Sequence, residues 1–113
     1  MKKKILLSVA AVVGSMMFSS IAHADCNDGE NRRVRIINET SGNMVKFYAS
    51  PPGVETWEDN ILSSPIKAYD SRVINFDDGR CRCVYDFRAE FNDRQPTMTY
   101  KLNVCTLETY RYH

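Results

Sequence analysis

The sequence predicts an all-β fold: a small antiparallel β-sandwich or partly closed barrel, immunoglobulin-like in arrangement and stapled by disulfides. Three observations carry this expectation. From Cys81 to Phe91 the odd positions are Cys, Cys, Tyr, Phe, Ala and Phe, while the even ones are Arg, Val, Asp, Arg and Glu. That period of two, with one apolar face, marks a half-buried antiparallel strand. Several other short β-branched or aromatic runs are separated by turns rich in Gly, Pro, Asn and Asp. Finally, all four cysteines lie beyond an export-type leader, and an even number in a small exported chain reads as disulfides.

The leader comes first. Lys2, Lys3 and Lys4 form a positive n-region, Ile5 to Ile21 carry no charge, and Ala22-His23-Ala24 supplies a small-x-small cleavage site. Residues 1–24 therefore read as a cleaved signal peptide of the bacterial Sec type, and residues 25–113 as a single β-rich domain, periplasmic or secreted. Asp25 precedes Cys26, which excludes lipid attachment because that needs a small residue there. No transmembrane segment is expected after cleavage. Loss of the three lysines leaves 12 basic residues against all 14 acidic ones, a net −2 in place of the full chain's +1. That balance offers nucleic acid no basic field.

Arg33 to Asn38 is a β-branched first strand, and Met44 to Ala49 a second; the turn cluster between them suggests a hairpin. Ser50-Pro51-Pro52-Gly53 stops the second strand. Thr56 and Asp59 stand at capping-box spacing, which allows one helical turn before Leu62. Arg72 to Phe76 makes a third strand, closed by Asp77-Asp78-Gly79. The patterned strand follows, then a turn from Asn92 to Pro96. Met98, Tyr100, Leu102 and Val104 alternate in a fifth strand, and the tail adds an edge strand or lies across the sheet. In a domain this small, covalent staples supplement a marginal core.

The pairing of the cysteines is constrained by geometry. Cys81 and Cys83 are one residue apart, so each reaches outward rather than to the other. Folding the last hairpin about Arg94 sets Cys83 opposite Cys105, which leaves Cys26 for Cys81. Matching apolar faces instead pairs Tyr85 with Leu102 and Phe87 with Tyr100, a register one residue out. The two requirements are reconciled by a bulge near Asn103.

For chemistry the sequence offers little. His113 is the only histidine beyond the leader, and the cysteines are expected to be oxidised, so nucleophile–histidine catalysis has no base. The segment Asp25 to Glu30 approaches a calcium loop but has its glycine one position early and lacks the downstream glutamate. No metal, cofactor or catalytic residue is expected. Asp59, Asp77, Asp78 and Asp86 are the carboxylates available to a glycosidase-like alternative. Trp57, the only tryptophan, lies beyond the rigid Pro51-Pro52 loop among carboxylates. It is read first as a plug of the small core, and second as an exposed aromatic able to stack on a sugar or anchor a protein. Arg33 and Arg35, with Arg32, form a basic cluster able to meet an anionic partner. Asn38-Glu39-Thr40 matches a glycosylation sequon but reads as a turn.

The segments IINETSG, FYASPPG with Trp57, VINFDDG, CVYDFRAEF and NVC together resemble a group of small exported bacterial proteins of uncharacterised function. The resemblance spans most of the chain beyond the leader. It implies a bridge between Cys83 and Cys105, with Cys26 and Cys81 as an addition, and it implies no activity. The functional expectation is a non-enzymatic exported β-domain that binds a protein or an envelope glycan. The alternatives are a small secreted enzyme or toxin acting through carboxylates on glycan or RNA, and an inhibitor of a secreted hydrolase that uses the proline loop as its probe.

Overall fold

The computed structural model describes residues 26–113 except residue 55; the leader lies outside the described residues. Six strands form β1 (Arg33–Asn38), β2 (Met44–Ser50), β3 (Ser71–Asn75), β4 (Val84–Phe91), β5 (Arg94–Asn103) and β6 (Thr109–Tyr112). They make two three-stranded sheets, β3-β1-β6 and β2-β4-β5, in an open sandwich rather than a closed barrel. All pairs are antiparallel except β1 with β6. Among the described residues no helix is long and apolar enough to cross a membrane.

The inner faces meet in one aromatic core. Val34, Ile36, Ile74, Phe76 and Tyr112 come from the first sheet or its margins, and Phe47, Tyr85, Phe87, Ala89 and Phe91 from the second. Phe87 sits at the centre, stacked on Phe76 at 5.0 Å and edge-on to Phe47 at 5.0 Å. Such pairs add roughly 0.5–1.5 kcal/mol each beyond the area they bury. The alternation in β1 places Val34, Ile36 and Asn38 inward, with Arg33 and Arg35 exposed on the outer face.

β1 and β2 do not form the expected hairpin; they lie in different sheets. The reason is Asn38, which is fully buried. Its side-chain amide donates to the carbonyls of Gly42 (2.9 Å), Ile66 (3.0 Å) and Lys67 (3.2 Å). Its Oδ1 accepts from the N–H (3.1 Å) and hydroxyl (2.7 Å) of Thr40. These bonds satisfy the backbone of a buried connection, so the chain can cross the sandwich instead of turning back beside itself. The sequon is thus an internal hub, with Asn38 and Thr40 both inaccessible.

The expected helical turn after Thr56 is also absent; the chain there runs irregularly along the free edge of β2. Asn60 accounts for this. Its Oδ1 accepts from the Phe47 N–H (2.9 Å) and from Leu62 N–H (3.1 Å), while Ile61 N–H donates to the Phe47 carbonyl (2.8 Å). One side-chain amide therefore stands in for a neighbouring strand and covers the edge.

β4 keeps its predicted apolar face from Tyr85 onward, but it begins at Val84 rather than Cys81. Cys81 is exposed, with a left-handed φ of 58°, and belongs to the preceding loop rather than to the apolar face. In β5 the predicted alternation fails partway. Tyr85 does pair with Leu102, but Phe87 pairs with Thr99 because β5 bulges at Tyr100-Lys101 opposite Asp86. Lys101 adopts φ 58°, and its N–H donates to the Asp86 carboxylate at 2.9 Å. The extra residue turns Tyr100 and Met98 outward, 60% and 43% exposed, where the simple alternation placed them inside.

The disulfides join Cys83 to Cys105 and Cys26 to Cys81, each with Cα atoms 5.3 Å apart. The register conflict is resolved beyond the end of β5, by a turn that follows Asn103 rather than by a bulge at it; the Tyr100-Lys101 bulge lies on the other side of the Tyr85–Leu102 pair. β5 ends at Asn103, whose Oδ1 accepts from Cys105 N–H (2.9 Å) and whose carbonyl accepts from Leu107 N–H (3.1 Å). That turn swings Cys105 back over Cys83, whose carbonyl accepts from Val104 N–H at 2.7 Å.

Candidate functional site

Two concave features share the Glu58–Asp59 segment. The first is a groove of about 510 Å³ on the outer face of the β2-β4-β5 sheet, lined by Tyr48, Trp57, Glu58, Asp59, Asn60, Arg88 and Glu90. Tyr48 pairs with Arg88 across β2 and β4, so both project away from the core. The edge-covering segment held by Asn60 brings Trp57 beside them, with the rings of Tyr48 and Trp57 6.4 Å apart and tilted by 45°. Trp57 is half-buried and lies outside the core cluster, which overturns its reading as a core plug. Arg88 is held flat on this face by Glu90, Nε to Oε2 at 2.9 Å.

The second feature is a cavity of about 230 Å³ at the end of the sandwich where β2 finishes and β4 starts. Ala49, Ile61, Phe76 and Tyr85 line it together with Asn75, Glu58, Asp59, Asp77 and Asp78. Arg80 crosses its rim and binds both Asp78 (2.7 Å) and Glu58 (3.1 Å). Burial works against ionisation of Asp78, but the Arg80 N–H and guanidinium outweigh it and hold the carboxyl below its ordinary value. At the base, burial first and Asp78 second push the Tyr85 hydroxyl up to about 12, so it stays neutral. A glycosidase acid needs the displacement opposite to that of Asp78. Asp77 is a structural acceptor: its carboxylate takes the Cys26 N–H (2.9 Å) and the Gly79 N–H (3.0 Å). Asp86 belongs to neither feature and serves the β5 bulge.

The remaining candidates are dispersed. Pro51 is buried and Pro52 half-buried in a turn closed by Val54 N–H to the Pro51 carbonyl (3.4 Å), with Gly53 at φ 81°. Glycine at that position of a proline-led turn is the type II signature, and the packed prolines make a poor protruding probe. Arg33 and Arg35 lie on the outer face of the opposite sheet, apart from Trp57. Arg32 leaves the basic cluster altogether. Only 2% exposed, it places its guanidinium on both oxygens of Asp28 (3.0 and 2.7 Å) and donates from Nε to the Arg82 carbonyl (2.6 Å). The Arg32 hydrogen bond, followed by the Glu30 N–H, lowers the Asp28 carboxyl to about 2. From Cys26 to Glu30 the calcium-like stretch is therefore a salt-bridged bend. Cys26, Asp28 and Cys81 are the one group of potential ligands close enough together to hold a metal among the described residues, and both cysteines are spent in a disulfide.

Residues missed by sequence reasoning include Tyr48, Asn60, Arg88 and Glu90. Tyr48, Arg88 and Glu90 occupy outward positions of confidently patterned strands, so the period-two signal that names the core also names this face. Asn60 carried no comparable signal. Comparison with known proteins finds no matching family model, no matching curated protein and no matching solved structure.

Proposed function

We propose that this chain is a non-enzymatic exported binding domain whose ligand is an envelope glycan. The carrying observation is the Tyr48–Trp57 pair, half-buried in an open groove whose other walls are carboxylate, amide and guanidinium. Sugar rings present apolar C–H faces that stack on aromatics and hydroxyls that donate to carboxylates and accept from arginine. A protein-anchoring site would have a more apolar centre with its charges confined to the rim. Two aromatics set among Glu58, Asp59, Asn60, Arg88 and Glu90 suit the polyhydroxylated ligand better. The disulfides and the leader sequence support an extracytoplasmic address, and the lysine-only n-region supports a bacterial periplasm.

The test is co-sedimentation of the processed protein with purified bacterial cell-wall sacculi and with lipopolysaccharide aggregates, wild type against Trp57→Ala. The expected result is retention on one of the two matrices and about tenfold weaker retention of the variant, in line with loss of an aromatic anchor. Equal retention of the two proteins, or retention on neither matrix, contradicts the reading.

A further inference from the structure

The cavity at the Tyr85 end is separate from the aromatic groove in its chemistry. Its floor is apolar and aromatic, made by Ala49, Ile61, Phe76 and Tyr85, while Glu58, Asp59, Asp77 and Asp78 surround the mouth. Against those four carboxylates stands one bridging guanidinium, Arg80, a local balance of −3. Asp59 has neither an ion pair nor a hydrogen bond among the described residues, so its charge is uncommitted.

Three observations define what such a cavity accepts. No three of its carboxylates bring oxygens within 4.8 Å of one another, so among the described residues the rim is too wide to collect a metal ion. The volume of about 230 Å³ falls below the roughly 300–1,000 Å³ of sites for whole small molecules, and suits a single side-chain-sized group. The Tyr85 residue is 2% exposed and its hydroxyl is turned to the Phe76 carbonyl at 3.5 Å, with the Asp78 carboxylate also beside it, so the wall offers an entering group ring surface rather than a free hydroxyl. Phe76 and Tyr85, their centroids 6.3 Å apart, supply those ring faces and edges. Apolar and aromatic walls under a ring of carboxylates suit an organic cation that lays an apolar stem on the floor and keeps its charge at the wet rim, not a metal ion that has no stem.

We propose that this cavity binds a primary alkylammonium group, entering stem-first along Ile61 and Phe76 with its charge held at Asp59 and Glu58. The group is that of a lysine side chain in a peptide or of a free alkyl diamine.

Two-dimensional amide NMR of the oxidised protein tests this with n-butylammonium chloride as the probe and n-butanol and calcium chloride as controls. Saturable shifts at Ile61, Phe76 and Tyr85 are expected with the ammonium alone. Asp59→Asn should weaken the apparent affinity about threefold, the size of one exposed ion pair, and Asp59→Lys about tenfold, as charge reversal demands. Asp59 is exposed, so both variants should keep the wild-type spectrum without ligand. Trp57→Ala should leave ammonium binding intact, which separates failure of this proposal from failure of the glycan reading. Cadaverine compared with an Nα-acetylated, amidated lysine tells the two sources apart, and tighter binding of either supports the proposal. Linear shifts without saturation, equal response to butanol, stronger saturable response to calcium, or indifference to Asp59→Lys would each overturn it.

Discussion

At one end of β1 the chain is fastened by a neutral amide, at the other by charge and covalent bonds. Asn38 gathers three carbonyls and both polar groups of Thr40 in full burial. Arg32, six residues earlier, grips Asp28 and the Arg82 carbonyl beside the two disulfides. Its guanidinium lies 3.8 Å from the Cys83 sulfur. The neutral hub is built without a titrating side chain or a disulfide. The charged end holds the Tyr85 cavity, and the loops it fixes border the Trp57 groove. The difference teaches that one end sets topology while the other positions loops, and the two should fail differently.

The sharpest way to break the comparison is at Asn38. Asn38→Ala removes one donor from each of the Gly42, Ile66 and Lys67 carbonyls, which keep the Thr40 hydroxyl, the Met44 N–H and the Asp70 N–H, and it strips the Thr40 N–H of its acceptor. A cost of about 3 kcal/mol or more is expected in urea denaturation, because several buried groups lose partners together. A loss below about 1 kcal/mol would show that water replaces the amide and that the connection is not set by this hub.

The disulfides provide a second, smaller contrast. Chain entropy alone assigns about 4 kcal/mol to Cys26–Cys81, which spans 55 residues, and about 3 kcal/mol to Cys83–Cys105, which spans 22. We expect the measured order to be reversed. Cys83–Cys105 locks the end of a hydrogen-bonded strand pair, whereas Cys26–Cys81 ties down a terminal segment that can fray locally once cut. Fraying returns entropy to the native state and offsets part of the loss. Paired serine variants compared by urea denaturation check this; a greater loss for the Cys26/Cys81 variant would contradict it.

The smallest effect concerns acid. The Asp28 carboxyl is lowered from 3.8 to about 2 in the folded protein. A lowered carboxyl stabilises the fold fully above its unfolded value, and that contribution fades as pH falls from about 4 towards 2. Asp28→Asn should remove this part of the acid sensitivity, seen as a smaller drop in melting temperature over the same interval. An unchanged drop would place the acid sensitivity elsewhere.

Much of this architecture was legible in the residues because two signals are hard to counterfeit. The alternation of β4 named the core face from Tyr85 to Phe91, and turn residues bracketed the neighbouring strands closely. What escaped was polar side chains doing the work of backbone. Asn38 and Thr40 read as a surface turn, yet buried inward they carry the chain from one sheet to the other. Asn60 read as loop, yet it pairs with the edge of β2 and so delivers Trp57 to the outer face. Asp86 read as an ordinary outward residue, yet it captures the Lys101 N–H and sets the bulge that reverses Tyr100. A single inserted residue inverts every later position, which is why alternation failed in β5 and not in β4. The groove was half legible: Trp57 stood out by its rarity, while its partners Tyr48 and Arg88 became neighbours only through the register of β2 on β4.

Because Trp57 is the only tryptophan in the chain, its fluorescence reports on the groove without labelling. Titrating the oxidised protein with soluble fragments of the cell-wall glycan is the most direct test of the account. It predicts a saturable blue shift as a sugar ring covers the indole and excludes water, with Arg88→Ala weakening the response. A spectrum unmoved by saturating fragments from a matrix that retains the protein would contradict it, because binding would then lie away from the Tyr48–Trp57 pair.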